Sequence, residues 1–131
     1  MEIRLTETEL FKSLTEIEDG TTYIDLHNEF DCKEVNISPN EVQLVFTNNL
    51  DVPKVKRVGL IFKDAKITKV STSLQNGDFT SLTIDNIYRG RFENSDGLFE
   101  RSDNGLYYYY VDFFKDYNIE LFASEFIVLY N

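Results

Sequence analysis

Residues 105–114 read GLYYYYVDFF, four consecutive tyrosines followed by Val-Asp-Phe-Phe. In an extended chain successive side chains point to opposite faces. Tyr108 and Tyr110 therefore fall on one side with Leu106, while Tyr107, Tyr109, Val111 and Phe113 fall on the other. Both faces are aromatic, which predicts a central strand, covered on one side by core and on the other by another element or a partner. Tyrosine suits both places, because its ring is apolar and its hydroxyl seeks water or an acceptor. The stretch reads as sheet core with hydroxyls at the rim, or as a recognition surface, and it argues for a β fold in either case.

The flanking sequence keeps the same period. TTYIDLH alternates Thr22, Ile24 and Leu26 against Tyr23, Asp25 and His27, and EVQLVFT alternates Val42, Leu44 and Phe46 against Gln43, Val45 and Thr47. Between them CKEVNIS forms another strand, folded back by the turn residues Ser38-Pro39-Asn40-Glu41. VKRVGLIFKDAKITKVSTS reads as a further hairpin turning near Lys63-Asp64. Asn76-Gly77-Asp78 interrupts the chain before LTIDNIYRGRFE, and Lys115-Asp116-Tyr117-Asn118 separates YYYYVDFF from NIELFASEFIVLY.

One segment has a different period. In TETELFKSLTEIEDG, Thr6 and Glu9 have capping-box spacing, Leu10, Leu14 and Ile17 recur at helical intervals, and Gly20 stands where a C-terminal cap belongs. The expectation is a helix over about residues 7–18. The fold class is mainly β (α+β), an antiparallel β-sandwich or strongly curved sheet of about nine strands with one N-terminal helix. Without a linker or repeat to divide it, the chain reads as a single domain over 1–131.

Composition bounds the function. The chain is 42% hydrophobic and 15% aromatic, too apolar for disorder despite a net charge of -10. The single cysteine, Cys32, forms no internal disulfide, no apolar run approaches the ~20 residues of a membrane span, and the first residues carry no basic-then-apolar leader. These features predict a cytoplasmic protein without membrane contact. Acidic residues outnumber basic ones 11 to 3 in residues 1–50 and 8 to 2 in residues 92–131, whereas residues 51–91 hold 4 against 8. This distribution argues against nucleic acid, which demands clustered Lys/Arg, and favours a basic protein partner drawn by complementary fields.

Catalytic patterns are weak. His27 lies in DLHNEFDC, where a strand would put Asp25 and His27 on one face, a spacing open to metal ligation or to a carboxylate orienting an imidazole. A zinc site needs more ligands than this, and there is no second histidine or paired-cysteine motif, so a structural role for His27 is expected. Cys32 sits in an acidic stretch that disfavours a thiolate and reads as inert. The sequence has no nucleophile-elbow, phosphate-loop, dinucleotide or zinc-protease motif, so no catalytic residue, metal or cofactor is assigned. ENSDGLFERSDNG carries Glu93, Asp96, Glu100 and Asp103 without the register of a calcium loop. These four carboxylates, with Tyr107 and Tyr109 as packing anchors, are the expected partner-binding residues. A carbohydrate-binding or hydrolytic β-domain that uses aromatic rings as a stacking platform is the alternative.

Residues 25–48, DLHNEFDCKEVNISPNEVQLVFTN, together with VGLIFKDAKI (58–67) and YYYYVDFFKDYNIELFASEFIVL (107–129), resemble small β-rich bacterial proteins encoded beside polymorphic toxins. Several such families are regarded as immunity proteins. The resemblance implies a non-enzymatic protein that occludes a toxin domain, and it implies no catalytic residue.

Overall fold

In a computed structural model, which describes residues 1–72, 82–114 and 116–131, antiparallel strands dominate. In chain order they are β1 (Glu2–Arg4), β2 (Glu16–Asp19), β3 (Thr22–Asp25), β4 (Phe30–Ser38), β5 (Glu41–Asn48), β6 (Arg57–Lys63), β7 (Lys66–Ser71), β8 (Ile84–Gly90), β9 (Phe92–Asn94), β10 (Gly97–Phe99), β11 (Tyr107–Phe113), β12 (Tyr117–Ala123) and β13 (Glu125–Tyr130). The helix among the described residues is one turn, α1 (Leu26–Glu29), capped by the Asp25 carboxylate on Asn28 N. The described residues form thirteen strands rather than about nine, because β1, β2, β9 and β10 are short pairings that an alternation pattern does not reveal.

A five-stranded sheet runs in the order β1-β13-β6-β5-β4, a four-stranded sheet in the order β7-β12-β11-β8, and β2-β3 and β9-β10 form separate hairpins. The two larger sheets share one core. Phe62 and Phe126 stack at 4.5 Å on the five-stranded side, and Tyr109 meets both edge-on from the four-stranded side at 5.3 and 5.5 Å. Val42, Leu44, Phe46, Val58, Leu60 and Val128 line one inner face; Ile87, Val111, Phe113, Ile119 and Leu121 line the other.

The chain crosses from sheet to sheet at two adjoining corners. β6 leads into β7 through Asp64, which adopts φ 52, a left-handed conformation that Asp tolerates better than most residues. β12 leads into β13 through Ser124, whose hydroxyl donates to Asp64 Oδ2 at 2.6 Å. The expected turn at Lys63-Asp64 is present, but its two strands do not pair as a hairpin: β6 lies between β13 and β5, and β7 borders β12. Lys66 and Lys69 lie on β7, an edge strand of its sheet, where lysine discourages edge-to-edge association. The Ser38–Glu41 turn closes β4 onto β5 as its residues predict, with Ser38 paired to Glu41. The Asn76-Gly77-Asp78 break lies outside the described residues, as does Lys115.

The helix expected over 7–18 is not formed. Phe11 takes φ 62, through which a right-handed helix cannot pass, and backbone donors at Phe11 and Leu14 go to a strand instead. Leu5 N donates to Phe126 O, Phe11 N to Arg89 O and Leu14 N to Ile87 O, each at 2.8 Å. Thr6 is no helix cap either, since its hydroxyl accepts from Phe126 N at 3.1 Å. Beyond it, Glu16–Asp19 pairs with Thr22–Asp25 across Gly20-Thr21. Gly20 has φ 62, which serves a two-residue hairpin loop as well as it would a helix C-cap, so one glycine fits both readings. The strand read through TTYIDLH stops at Asp25, where α1 begins. Among the described residues no helix is long and apolar enough to cross a membrane.

Candidate binding face

The pairing register assembles the outer face of the four-stranded sheet from alternate residues of three strands. Tyr110 stands between Tyr88 and Glu120, Tyr108 between Gly90 and Phe122, and Asp112 between Asn86 and Asn118. The rings form a belt. Phe11 lies 5.7 Å from Tyr88 and Tyr88 lies 5.2 Å from Tyr110; beside them Tyr108 packs at 5.5 Å on Phe122, which meets Phe92 at 4.8 Å. The β9-β10 hairpin continues the belt through Phe92 and Phe99, 6.2 Å apart.

Two local features hold the belt in place. Gly90, opposite Tyr108, leaves room that a side chain would fill, since a Cβ there would come within 3.2 Å of the Tyr88 ring and 3.6 Å of Phe11. The left-handed Phe11 keeps its ring over Tyr88 while remaining 57% exposed. A bulky residue in that conformation is strained and persists where its surroundings hold it. The backbone bond from Phe11 N to Arg89 O supplies part of that hold.

Charge is arranged along the same face. At one end Asp112 has its carboxyl raised above the ordinary range by partial burial and by the nearby Asp85 and Asp116 carboxylates. Among the described residues no cation lies within ion-pair distance of these three. At the centre Glu120 accepts from the Tyr108 hydroxyl and lies 3.9 Å from Lys69. The Tyr108 phenol is pushed up by burial and then by Glu120.

The residues expected to bind a partner divide into two groups. Glu93, Asp96, Glu100 and Asp103 are exposed on and after the β9-β10 hairpin. Arg89, Arg91 and Arg101 interleave with them, and Glu100 pairs with Arg89 at 3.5 Å, so the hairpin is nearly neutral rather than an acidic patch. Tyr107 and Tyr109 face inward. Tyr109 is fully buried and donates to Thr6 O at 2.7 Å. Tyr107 donates to Glu7 at 2.7 Å, with the Arg101 and Arg89 guanidinium groups 4.6 and 5.5 Å from its ring centre. Both rings are buried on the inner side of β11, whereas Tyr108 and Tyr110 are half-buried on its outer side. Tyr88, Phe92, Phe122, Asp85 and Asp112 escaped the sequence reading because pairing register alone brings them to one face.

Asp25 and His27 do not converge. Asp25 is occupied by Asn28, whereas His27 Nδ1 donates to Ile84 O at 2.6 Å and its ring lies 5.4 Å from Phe114. Cys32 is fully buried, and burial pushes its thiol up to about 12. Comparison of the chain with protein-family models, curated proteins and solved structures finds no match.

Proposed function

We propose that this chain is a non-enzymatic protein-binding domain of the immunity type, which neutralises a bacterial toxin domain by docking a basic surface on the outer face of the four-stranded sheet. The observation that carries the reading is the partly exposed aromatic belt ending in Asp85, Asp112 and Asp116. Tyrosine and phenylalanine in such a belt bury large area at low entropic cost, and an arginine or lysine entering beside them gains both ring contact and carboxylate pairing. The overall charge of -10 steers a basic partner toward the domain. In this reading Tyr110, Tyr108 and Tyr88 supply packing, Asp112 and Asp85 supply charge, and Glu93, Asp96, Glu100 and Asp103 border the contact. The architecture is that of a sandwich whose two sheets are joined at their corners.

The test begins with the DNA flanking the coding region. A neighbouring frame for a long secreted chain ending in a compact basic domain supplies the partner, which is expected to co-purify with this chain and to be silenced by it in cells. Tyr110→Ala and Asp112→Asn are each expected to weaken binding at least about tenfold, with association slowing as salt rises. Binding unaffected by both substitutions would remove this face from the proposal. A saturable thermal shift with a panel of oligosaccharides, lost in Tyr110→Ala, would instead favour the carbohydrate-binding reading, in which the belt is a stacking platform.

A further inference from the structure

The outer face of the five-stranded sheet takes no part in the belt. Where a sheet has one face on a core and the other in water, outward positions read polar. Here the register sets Val45, Gly59 and Leu129 outward in one row and Ile61 and Ile127 in the next. Leu129 is 39% exposed and stands up as a knob. Its cross-strand partner Gly59 leaves a hollow beside it, since a Cβ there would meet nothing closer than 3.9 Å. The hollow opens into a depression of about 630 Å³ whose lining includes Gln43, Val45, Arg57 and Leu129.

The charges around these rows cancel. On β1, β13, β6 and β5 the outward charged side chains are Glu2, Glu41 and Glu125 against Arg4, Arg57 and Lys63, so this part of a chain carrying -10 has no net charge. Arg4 holds Glu125 at 3.6 Å. A partner surface of one sign would meet as much repulsion as attraction here. The pattern is instead complementary to itself. A two-fold axis along the strands, between β6 and β13, sets each Leu129 over the other copy's Gly59, each Ile61 over Ile127, each Lys63 over Glu125 and each Gln43 over Arg4. Sheets packed face to face keep their strand directions within about 30°, so these opposites stay within side-chain reach.

We infer that the chain forms a symmetric homodimer through the outer face of its five-stranded sheet, with Leu129 of each copy seated in the Gly59 hollow of the other. At about 4.8 Å per strand and about 3.4 Å per residue, the overlap of four strands covers roughly 400 Å² in projection per copy. That is the scale of a weak interface rather than an obligate one, with a dissociation constant of roughly 10–100 µM. Both aromatic belts face away from the interface, so dimerisation does not depend on what the belt binds.

The experiment is sedimentation equilibrium of the intact chain over concentrations spanning that constant, where a monomer–dimer equilibrium is expected. Leu129→Ser removes the exposed knob and should weaken association at least about thirtyfold, because symmetry counts each substitution twice. Gly59→Gln, which fills the hollow, should do the same, with the circular dichroism and unfolding of each variant still native-like. The sharpest arm uses two charge reversals, Lys63→Glu and Glu125→Lys. Each variant alone sets like charges against each other across the axis and should stay monomeric, whereas an equimolar mixture restores both contacts and should dimerise as the unsubstituted chain does. Tyr110→Ala, on the belt, should leave the dimer unchanged. A monomer at every concentration, a mixture that stays monomeric, a dimer that survives both Leu129→Ser and Gly59→Gln, or one lost in Tyr110→Ala would each overturn the inference.

Discussion

Tyr109 and Tyr110 are neighbours of identical chemistry, and they belong to different parts of the molecule. Tyr109 fills the space between the sheets, edge-on to Phe62 and Phe126, with its hydroxyl spent on Thr6 O. Tyr110 lies outside, against Tyr88, with Asp112 and Glu120 for company. Four tyrosines in a row therefore divide into two on the inner face and two on the outer, and the pleat of the strand does the dividing. A residue type says little about role until its face is known.

Substitution at Tyr109 should separate the two faces most widely. Tyr109→Ala removes a fully buried ring and should cost about 3–5 kcal/mol in denaturant unfolding, whereas Tyr110→Ala should cost less than about 1 kcal/mol. Comparable losses at the two positions would mean that the outer belt is as much a core as the inner one. Tyr109→Phe keeps the ring and strands the Thr6 carbonyl, for an expected loss of about 1–2 kcal/mol. The same variant tests the pH response. Burial raises the Tyr109 phenol above its ordinary value of 10.0, so its contribution is fully present below that pH and is lost as pH rises beyond it. Tyr109→Phe should flatten the alkaline limb of a stability profile, and a limb unchanged in shape would assign the alkaline loss to other phenols.

Gly90→Ala probes the outer face alone. The added methyl meets the half-buried Tyr88 ring at 3.2 Å, so that ring must give slightly, while the Phe11 ring at 3.6 Å stays in ordinary contact. Stability should change by about 1 kcal/mol or less, while near-ultraviolet dichroism from the belt changes visibly. The smallest effect expected is at Cys32. Its buried thiol, pushed up to about 12, should resist disulfide reagents at neutral pH until denaturant opens the core. Rapid labelling of the native protein would show that the inner face opens locally near β4.

The inner face was legible in the sequence because strand alternation is a local signal. Val42, Leu44 and Phe46, and Tyr109 and Val111, are buried as their period predicts, and the Ser38–Glu41 turn falls where its residues place it. The outer face was only half legible. Tyr108 and Tyr110 follow from the same alternation, but Phe122 and Tyr88 join them through pairing partners 12 or more residues distant, and no local pattern encodes register. The 7–18 segment misled for a related reason. Its Leu14 and Ile17 are buried as a helical stripe would have them, yet Ile87 and Arg89 accept the Leu14 and Phe11 backbone N–H groups and make a helix unnecessary. The two halves of VGLIFKDAKI look like a hairpin because a turn is visible locally, whereas the sheet each strand joins is decided by β12 and β13.

The stitching of the first residues to the last strand has a consequence for synthesis. β1 pairs with β13, and Leu5 and Thr6 bond to Phe126. A ribosome releases these N-terminal residues first, and they must wait without partners until β13 has emerged. During that interval the five-stranded sheet lacks both β13 and the β1 border that β13 carries. Rare codons or a pause ahead of residue 125 would lengthen the exposure, so the yield of folded protein should depend on how quickly the last few residues follow the rest.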